Sequence, residues 1–382
     1  MRVIHIVHGK ANPNSANGIS RVVYFLNKHE KLQGINSEIW AIVDGIKDVK
    51  IFQRDDYVTV RCFPRVNLFS KKEIIKELIA QKESIDLVHF HLIWFYDKNI
   101  IAKALKNNNI PFVITTHGTY SNPHAYTGKR LLAKWLFELK YLNMATECHI
   151  LTPEEGTGLK KYGYEGRSFV AYNGFEEDEM PTNLNNNFFQ NQPFKNKIIL
   201  SMVSVLRKDK NIDLIIKAIS LLNSDIRNQI AFVIIGPDYK GNAQKYLSLA
   251  KNLGVDDSVF WIGPLYNKDK YDALNSSDGY IMASDSEGFS MSVIDAMACA
   301  KPMILTSGCN MKYISDEKFY IMCEPYSQDL ARAIIEFVEM KEKRIGLGEK
   351  AYAILKEKLY WTNIVKGLIS EYKRIIGEKY ER

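Results

Sequence analysis

The sequence predicts an α/β fold built as two doubly wound domains, each a parallel sheet with helices on both faces. Three observations carry that prediction. Short β-rich runs alternate with longer helical patterns through the first half of the chain; the alternation stops over residues 176–197; and it then restarts. The chain has 382 residues, 46% hydrophobic and 25% charged, enough for two cores rather than one. Strands that alternate with helices imply right-handed crossovers and a parallel sheet covered on both sides.

In the first half the strands are VIHIVH, SEIWAIV, DLVHFHL, PFVITTH and CHILT, with helices near 21–33, 71–83, 98–108 and 129–144 between them. The stretch EEDEMPTNLNNNFFQNQPFKNK (176–197) is polar, Asn-rich and broken by two prolines, which reads as a linker. The domains are therefore expected at 1–175 and 198–361. In the second, KIILSMVSV, IAFVIIG, VFWIG, GYIMAS and PMILTS alternate with helices near 212–222, 242–253 and 267–276 and one that ends at Ala300, before Lys301-Pro302. The tail, WTNIVKGLISEYKRIIGEKYER, forms one amphipathic helix over about 362–382 with no strand to follow it.

The formal charge of +7 favours an anionic partner. The basic residues are dispersed and no nucleic-acid motif appears, so nucleic acid is not the expected one. Five cysteines, widely spread and without a CxxC, suggest neither a disulfide framework nor a thiolate metal site, and a reducing cytoplasm fits them. The apolar start of MRVIHIVHGK is too short for a signal-peptide core, and no stretch approaches the ~20 apolar residues of a membrane span. The expectation is a cytoplasmic protein, soluble or peripheral to a membrane. The segment GKRLLAKWLFELKYLNM (128–144) interleaves basic and apolar residues; it reads as a packed helix with a solvated rim or as a contact for an anionic bilayer.

In doubly wound sheets ligands bind in the crevice beyond the carboxyl ends of the strands. After GYIMAS comes DSEGFSMSVIDAMACAKP (285–302), with acids at 285, 287 and 295. Asp285 and Glu287 are candidates for a divalent metal. Alternatively Glu287 and Asp295 hold hydroxyls, Gly288 permits close approach, and the first-turn N–H groups of Phe289, Ser290, Met291 and Ser292 hold a phosphate. Ser292 and Asp295 have the spacing of a capping box. His89 and His91 share one face of a strand. With no third ligand apparent they read as core or cleft-lining histidines, and His5 and His8 likewise.

EGFSMSVIDAMACAKP resembles the signature of retaining glycosyltransferases of the group-one type, family four: Glu, Gly-Phe-Gly, a second acid eight residues after the first, then Ala-Met-Ala-x-Gly-x-Pro. NGISRVV (17–23) resembles that family's Gly-Gly loop, TTHGTYSNP (115–123) its His-Gly segment, AYNGF (171–175) its Asn-Gly turn and the tail its closing helix. The resemblance spans both domains. It implies a GT-B fold, two Rossmann-like halves facing across a cleft with the closing helix crossing back to the first. It implies transfer from a nucleotide-diphosphate sugar, UDP-sugar favoured, to a glycan, lipid-linked or protein-linked hydroxyl, with no cofactor and no metal. His117 and Glu287 are then the catalytic candidates. Gly18, Asn173, Arg207, Lys210, Gly288, Phe289, Ser290, Met291 and Asp295 are the donor-binding ones.

Four departures stand out. Asn17 replaces a glycine, Ser290 replaces a glycine, Asp295 is shorter than the usual Glu, and Val205 stands where the family places an Arg, with Arg207 two residues later. A non-catalytic partner subunit, or a sugar-nucleotide epimerase or hydrolase of the same fold, is the alternative these departures keep open.

Overall fold

The computed structural model describes residues 1–9, 11–12, 18–65, 72–91, 96–121, 132 and 134–380. Asn17 and residues 128–131 and 133 of the basic and apolar segment lie outside them. The chain divides into two compact units: Met1–Gly174 with Trp361–Arg382, and Phe175–Tyr360. No helix among the described residues is long and apolar enough to cross a membrane.

The first unit is built on β1 (Arg2–His8), β2 (Asn36–Val43), β3 (Lys50–Gln53), β4 (Thr59–Pro64), β5 (Leu87–Phe90), β6 (Phe112–Thr115), β7 (Glu147–Ile150) and β8 (Arg167–Val170). Their order across the sheet is β3-β4-β2-β1-β5-β6-β7-β8, all parallel except the β3–β4 pair. The central strands are buried on both faces, as sheets covered by crossover helices require. Ile4, Ile6, Trp40, Phe90 and Phe112 form part of one core with Tyr141 and Tyr162.

The expected helix over 129–144 is present in a different form. A wide five-residue turn, Lys134–Glu138, precedes a single helical turn, Leu139–Leu142. At its end sits a fully buried ion pair: Lys98 Nζ donates to both oxygens of Glu138, at 2.8 and 2.7 Å, and lies 4.2 Å from the ring centre of Tyr141. Leu132 and Leu136 are exposed.

The closing helix, Trp361–Tyr380, packs in this first unit along the helix Gly18–Leu32. Arg374 clasps the buried Glu147 with two bonds of 2.9 and 2.7 Å, and Gly174 makes room for the Trp361 indole, which a Cβ there would meet at 2.4 Å.

The second unit contains β9 (Ile198–Val203), β10 (Ile230–Ile235), β11 (Val259–Trp261), β12 (Gly279–Met282), β13 (Met303–Thr306) and β14 (Ile321–Cys323), all parallel in the order β11-β10-β9-β12-β13-β14. The stretch read as a linker is part of this unit. Phe189 and Phe194 are buried against Ile199, Ala231 and Val233, while the Asn185 and Phe188 N–H groups bond Asp272 and Ser276. Most of its polar residues are exposed while Phe189 and Phe194 pack on one face of β9 and β10, so the polar composition conceals a packed segment.

Candidate active site

Each sheet has a switch point where the strand order reverses, and ligand crevices form there. In the second unit the chain runs outward from β9 through β10 to β11, then returns beside β9 as β12. The loops after β9 and β12 therefore lie side by side, and they carry Lys210 and Glu287. In the first unit the reversal falls between β1 and β5, with β6 next. Gly18 follows β1 and His117 follows β6.

In the second unit Lys210 Nζ bonds Glu287 Oε1, and each side chain is 13% exposed. Ser284 Oγ also donates to that oxygen, at 2.6 Å. The backbone beneath is fixed from a third loop. Glu287 N–H donates to Gly308 O at 2.8 Å, Asn310 Nδ2 to Glu287 O at 2.6 Å and Thr306 Oγ1 to Ser284 O at 3.0 Å. A Cβ at residue 308 would lie 2.4 Å from the carbonyl oxygens of Ser284 and Asp285, so glycine is what lets the loops touch. Asn211, in the left-handed region at φ 50°, donates through Nδ2 to Ala283 O at 2.9 Å and also bonds Asp285. The acids raised as a metal pair are thus engaged separately, Glu287 by an ammonium and Asp285 by an amide.

Arg207, half exposed, grips Asp209 through Nε at 3.0 Å and Nη2 at 2.6 Å, and that contact is the main cause of its raised pKa. Asp209 in turn titrates below the ordinary range: burial alone would raise it, but the bond to Arg207 and the nearby Lys210 outweigh that.

The helix of the signature runs Met291–Ala298 with Ser290 as its cap residue, and its first N–H groups have no intrahelical partners. Gly288 is half-buried on the approach to it and Phe289 is buried. The expected capping box does not form. Ser292 lies inside the helix and its hydroxyl accepts from Tyr280 OH at 2.8 Å, while Asp295 is enclosed by Lys270 Nζ at 2.6 Å and Tyr271 OH at 3.0 Å. The helix starts two residues too early for a 292–295 box.

In the first unit Gly18 opens the helix Gly18–Leu32, exposed and with nothing within 4 Å of where a Cβ would stand. Asn173 is buried in the turn before Gly174. His117 is half-buried and adopts φ 50°, followed by Gly118 at φ 77°. A non-glycine residue held there costs on the order of 1 kcal/mol.

Glu155, which sequence reasoning missed, organises this turn. It accepts from the Thr116 hydroxyl, from Leu151 N–H at 2.8 Å and from the backbone N–H groups of Gly118 and Tyr120. Burial pushes its pKa up to about 7 against the pull of those donors. The signal was present: Thr152 caps the helix Pro153–Tyr162 and accepts from Glu155 N–H at 3.3 Å, the Thr-x-x-Glu pattern.

Sequence reasoning also found no third ligand beside His89 and His91, whereas the sheet register sets His5 directly opposite His89. His5, His89 and His91 meet the distance condition for a metal site, the one such group among the described residues. All six of their ring nitrogens are already hydrogen-bonded, however: His5 to His91 and Glu30, His89 to Tyr372 and Thr115, and His91 to His5 and His117. Burial and neighbouring rings hold His89 and His91 well below the usual imidazole range, and burial pushes His117 down to about 3 and His149 to about 4.

Two family models match the chain: glycosyl transferases group 1 over residues 184–354 and glycosyltransferase family 4 over residues 16–179. The chain is 23% identical to an uncharacterised glycosyltransferase of Methanocaldococcus jannaschii, across 90% of this chain and 95% of that protein. It is 24% identical to N-acetyl-alpha-D-glucosaminyl L-malate synthase of Bacillus anthracis, across 78% of this chain and 76% of that enzyme. Among solved structures it shares the fold of Anabaena HepE in complex with UDP and glucose, with a TM-score of 0.76, 16% identity and coverage of 98% of this chain and 100% of that one.

Proposed function

Because the chain belongs to the group 1, GT-B glycosyltransferases of the family 4 type, which act on nucleotide sugars, we infer a retaining transfer from a nucleoside-diphosphate sugar to an acceptor hydroxyl. The observation that carries this reading is the Lys210–Glu287 pair at the switch point of the second sheet, beside the open first turn of the helix Met291–Ala298. UDP-sugars come first among donors, a choice supported by the UDP and glucose bound to the HepE neighbour. A glycan, lipid-linked or protein-linked acceptor, in surface polysaccharide or glycoconjugate synthesis, is the setting proposed.

In this mechanism the diphosphate takes Lys210 from Glu287, Arg207 turns to it from Asp209, and the N–H groups of Phe289, Ser290 and Met291 donate to its oxygens. Gly288 and Gly18 permit the close backbone approach. Preorganised positive charge of this kind meets the leaving group without a cation. Glu287, still held by Ser284, accepts from the donor sugar's hydroxyls, and Asp295 with Lys270 serves the ribose. Asn173 and His117 contact the donor from the first unit. The bond from the anomeric carbon to the phosphate oxygen breaks, the acceptor oxygen bonds the same face, and the departing phosphate takes the acceptor's proton.

The test is calorimetry with UDP, GDP and ADP, each with and without EDTA, together with donor turnover. One nucleotide should bind, and EDTA should leave that binding intact. Lys210→Ala removes a charge-assisted contact of about 1.5–3 kcal/mol, a loss of roughly 10- to 100-fold in nucleotide affinity. Glu287→Ala keeps or raises nucleotide affinity, because Lys210 loses its competitor, while turnover falls by on the order of 100-fold. Full turnover in both variants, or binding abolished by EDTA, refutes the mechanism; nucleotide binding without turnover of any donor favours the partner-subunit reading.

A further inference from the structure

Five histidines on and just beyond the strands of the first sheet, His5, His89, His91, His117 and His149, form two directed lines of hydrogen bonds, and the ends of each line fix where its protons sit. In the first line Ser37 accepts from Asn27 Nδ2 at 2.7 Å, so its one hydroxyl hydrogen points to Glu30 Oε2. The same Glu30 oxygen meets His5 Nε2 at 2.7 Å. A carboxylate only accepts, so His5 carries its proton on Nε2 and offers a lone pair at Nδ1. His91 Nε2 lies 2.9 Å from that lone pair, and His117 Nε2 lies 3.2 Å from His91 Nδ1. A neutral imidazole donates through one nitrogen and accepts through the other. The direction set at Glu30 is therefore handed through His5 and His91 to His117.

The second line is anchored at its far end, on Ala171. His149 Nε2 donates to Ala171 O at 2.8 Å, so His149 Nδ1 accepts from Thr115 Oγ1, also at 2.8 Å. Thr115 then accepts from His89 Nε2, so His89 Nδ1 is bare and the one hydroxyl hydrogen of Tyr372 goes to it, although that hydroxyl also faces Glu30. His89 is thereby occupied at both nitrogens and cannot interrupt the first line, although its ring centre is 5.2 Å from that of His5 and 4.2 Å from that of His91.

We propose that Glu30, His5 and His91 are positioning residues that lock His117 as its Nε2–H tautomer, leaving a lone pair on Nδ1 that accepts from a hydroxyl of the donor sugar. Use of that lone pair on a sugar rests on the donor-binding role proposed for His117; the lock itself does not. His117 Nδ1 has no partner among the described residues, and the left-handed backbone at 117 keeps the ring at the end of the line. The neutral state the lock requires agrees with the depressed titration of His91 and His117. A proton added to His5 at Nδ1 would reverse both inter-ring bonds and turn His117 into a donor.

The test uses the full chain, histidine-labelled with nitrogen-15, at pH 7 and without ligand. Long-range proton–nitrogen correlation and couplings across N–H···N bonds report each ring's tautomer and partner. Expected are a protonated Nε2 and bare Nδ1 on His117, coupling of His117 Nε2 to His91 Nδ1, and coupling of His91 Nε2 to His5 Nδ1. His91→Phe removes both couplings and lets the His117 signals move toward the average of exchanging tautomers. Glu30→Gln, which keeps the side chain's shape but can donate as well as accept, gives mixed tautomers at His117 and decides the matter if the phenylalanine variant does not fold. A proton on His117 Nδ1, His117 signals unchanged in Glu30→Gln, or one equivalent of zinc whose chelation rewrites the histidine spectrum would each overturn the proposal. Since no ligand is present, failure here leaves the donor assignment of His117 standing, and failure of that assignment leaves the lock standing.

Discussion

Replacing Gly308 with alanine asks whether the bed under Glu287 sets the position of that carboxylate. The new Cβ would stand 2.4 Å from the carbonyl oxygens of Ser284 and Asp285, where ordinary contact begins at 3.4 Å. Both obstacles are backbone, so no rotamer change relieves the overlap, and the two loops must part by about 1 Å. Their parting pulls on the bonds from Glu287 N–H to Gly308 O and from Asn310 Nδ2 to Glu287 O, at 2.8 and 2.6 Å. Overpacking of this kind costs about 1–3 kcal/mol. A 1 Å misplacement of a positioning group costs up to about 100-fold in rate. Urea denaturation should record the first loss and donor turnover the second, with nucleotide affinity much less affected because Lys210 is held on another loop. Wild-type turnover in a destabilised variant would refute the link between Gly308 and the carboxylate; wild-type values of both would refute the contact.

Acid should destabilise the first unit through its histidines, with Glu155 working against them. The unfolded histidine value is 6.5, against about 3 for folded His117 and about 4 for His149, so stability is lost as pH falls below 6.5, by about 4 kcal/mol from these two between pH 7 and pH 5, with His89 and His91, also held low, adding to the loss. Glu155 moves from 4.5 unfolded to about 7 folded; its folded state holds a proton the unfolded state has shed, which returns about 2 kcal/mol over the same interval. Denaturation of Glu155→Gln at both pH values should therefore show about 2 kcal/mol more acid loss than wild type, and equal losses would contradict the buried proton. Lys98→Met should cost about 3–5 kcal/mol by stranding the Glu138 carboxylate, and the double variant with Glu138→Leu should recover most of it; an additive result would mean the two charges are not paired.

The strands that alternate cleanly with helices were legible in the sequence because burial on both faces leaves nearly unbroken apolar runs. Two kinds of element were not. KIFQ (β3) and RSFV (β8) lie at the sheet edges, mostly exposed, and carry too few apolar residues to show a period, and the short TVRCFP (β4) and IMC (β14) went unread with them. The segment 176–197 was misread because its burial rests on Phe189 and Phe194 among polar neighbours. Lys210 and Glu287 were expected together from the family resemblance, and the structure places them in contact. What braces them comes from elsewhere in the chain: Asn211, Gly308 and Asn310 meet Glu287 and its neighbours through loop conformation, which no periodicity encodes. The histidine lines are a register effect. His5, His89 and His149 converge because β1, β5, β6 and β7 are neighbours, and that order had to be known before the residues could be connected.

The closing helix has a consequence for how the protein is made. The second unit is complete once Tyr360 has been synthesised, but the first then still lacks Trp361 beside Gly174, Tyr372 beside His89 and Arg374 on Glu147. Domains usually fold in the order in which the ribosome delivers them, N-terminal first. Here the domain begun first is finished last, so a chain truncated after Tyr360 would carry every residue of its second unit behind a first unit that lacks its closing helix, the species on which a chaperone would act.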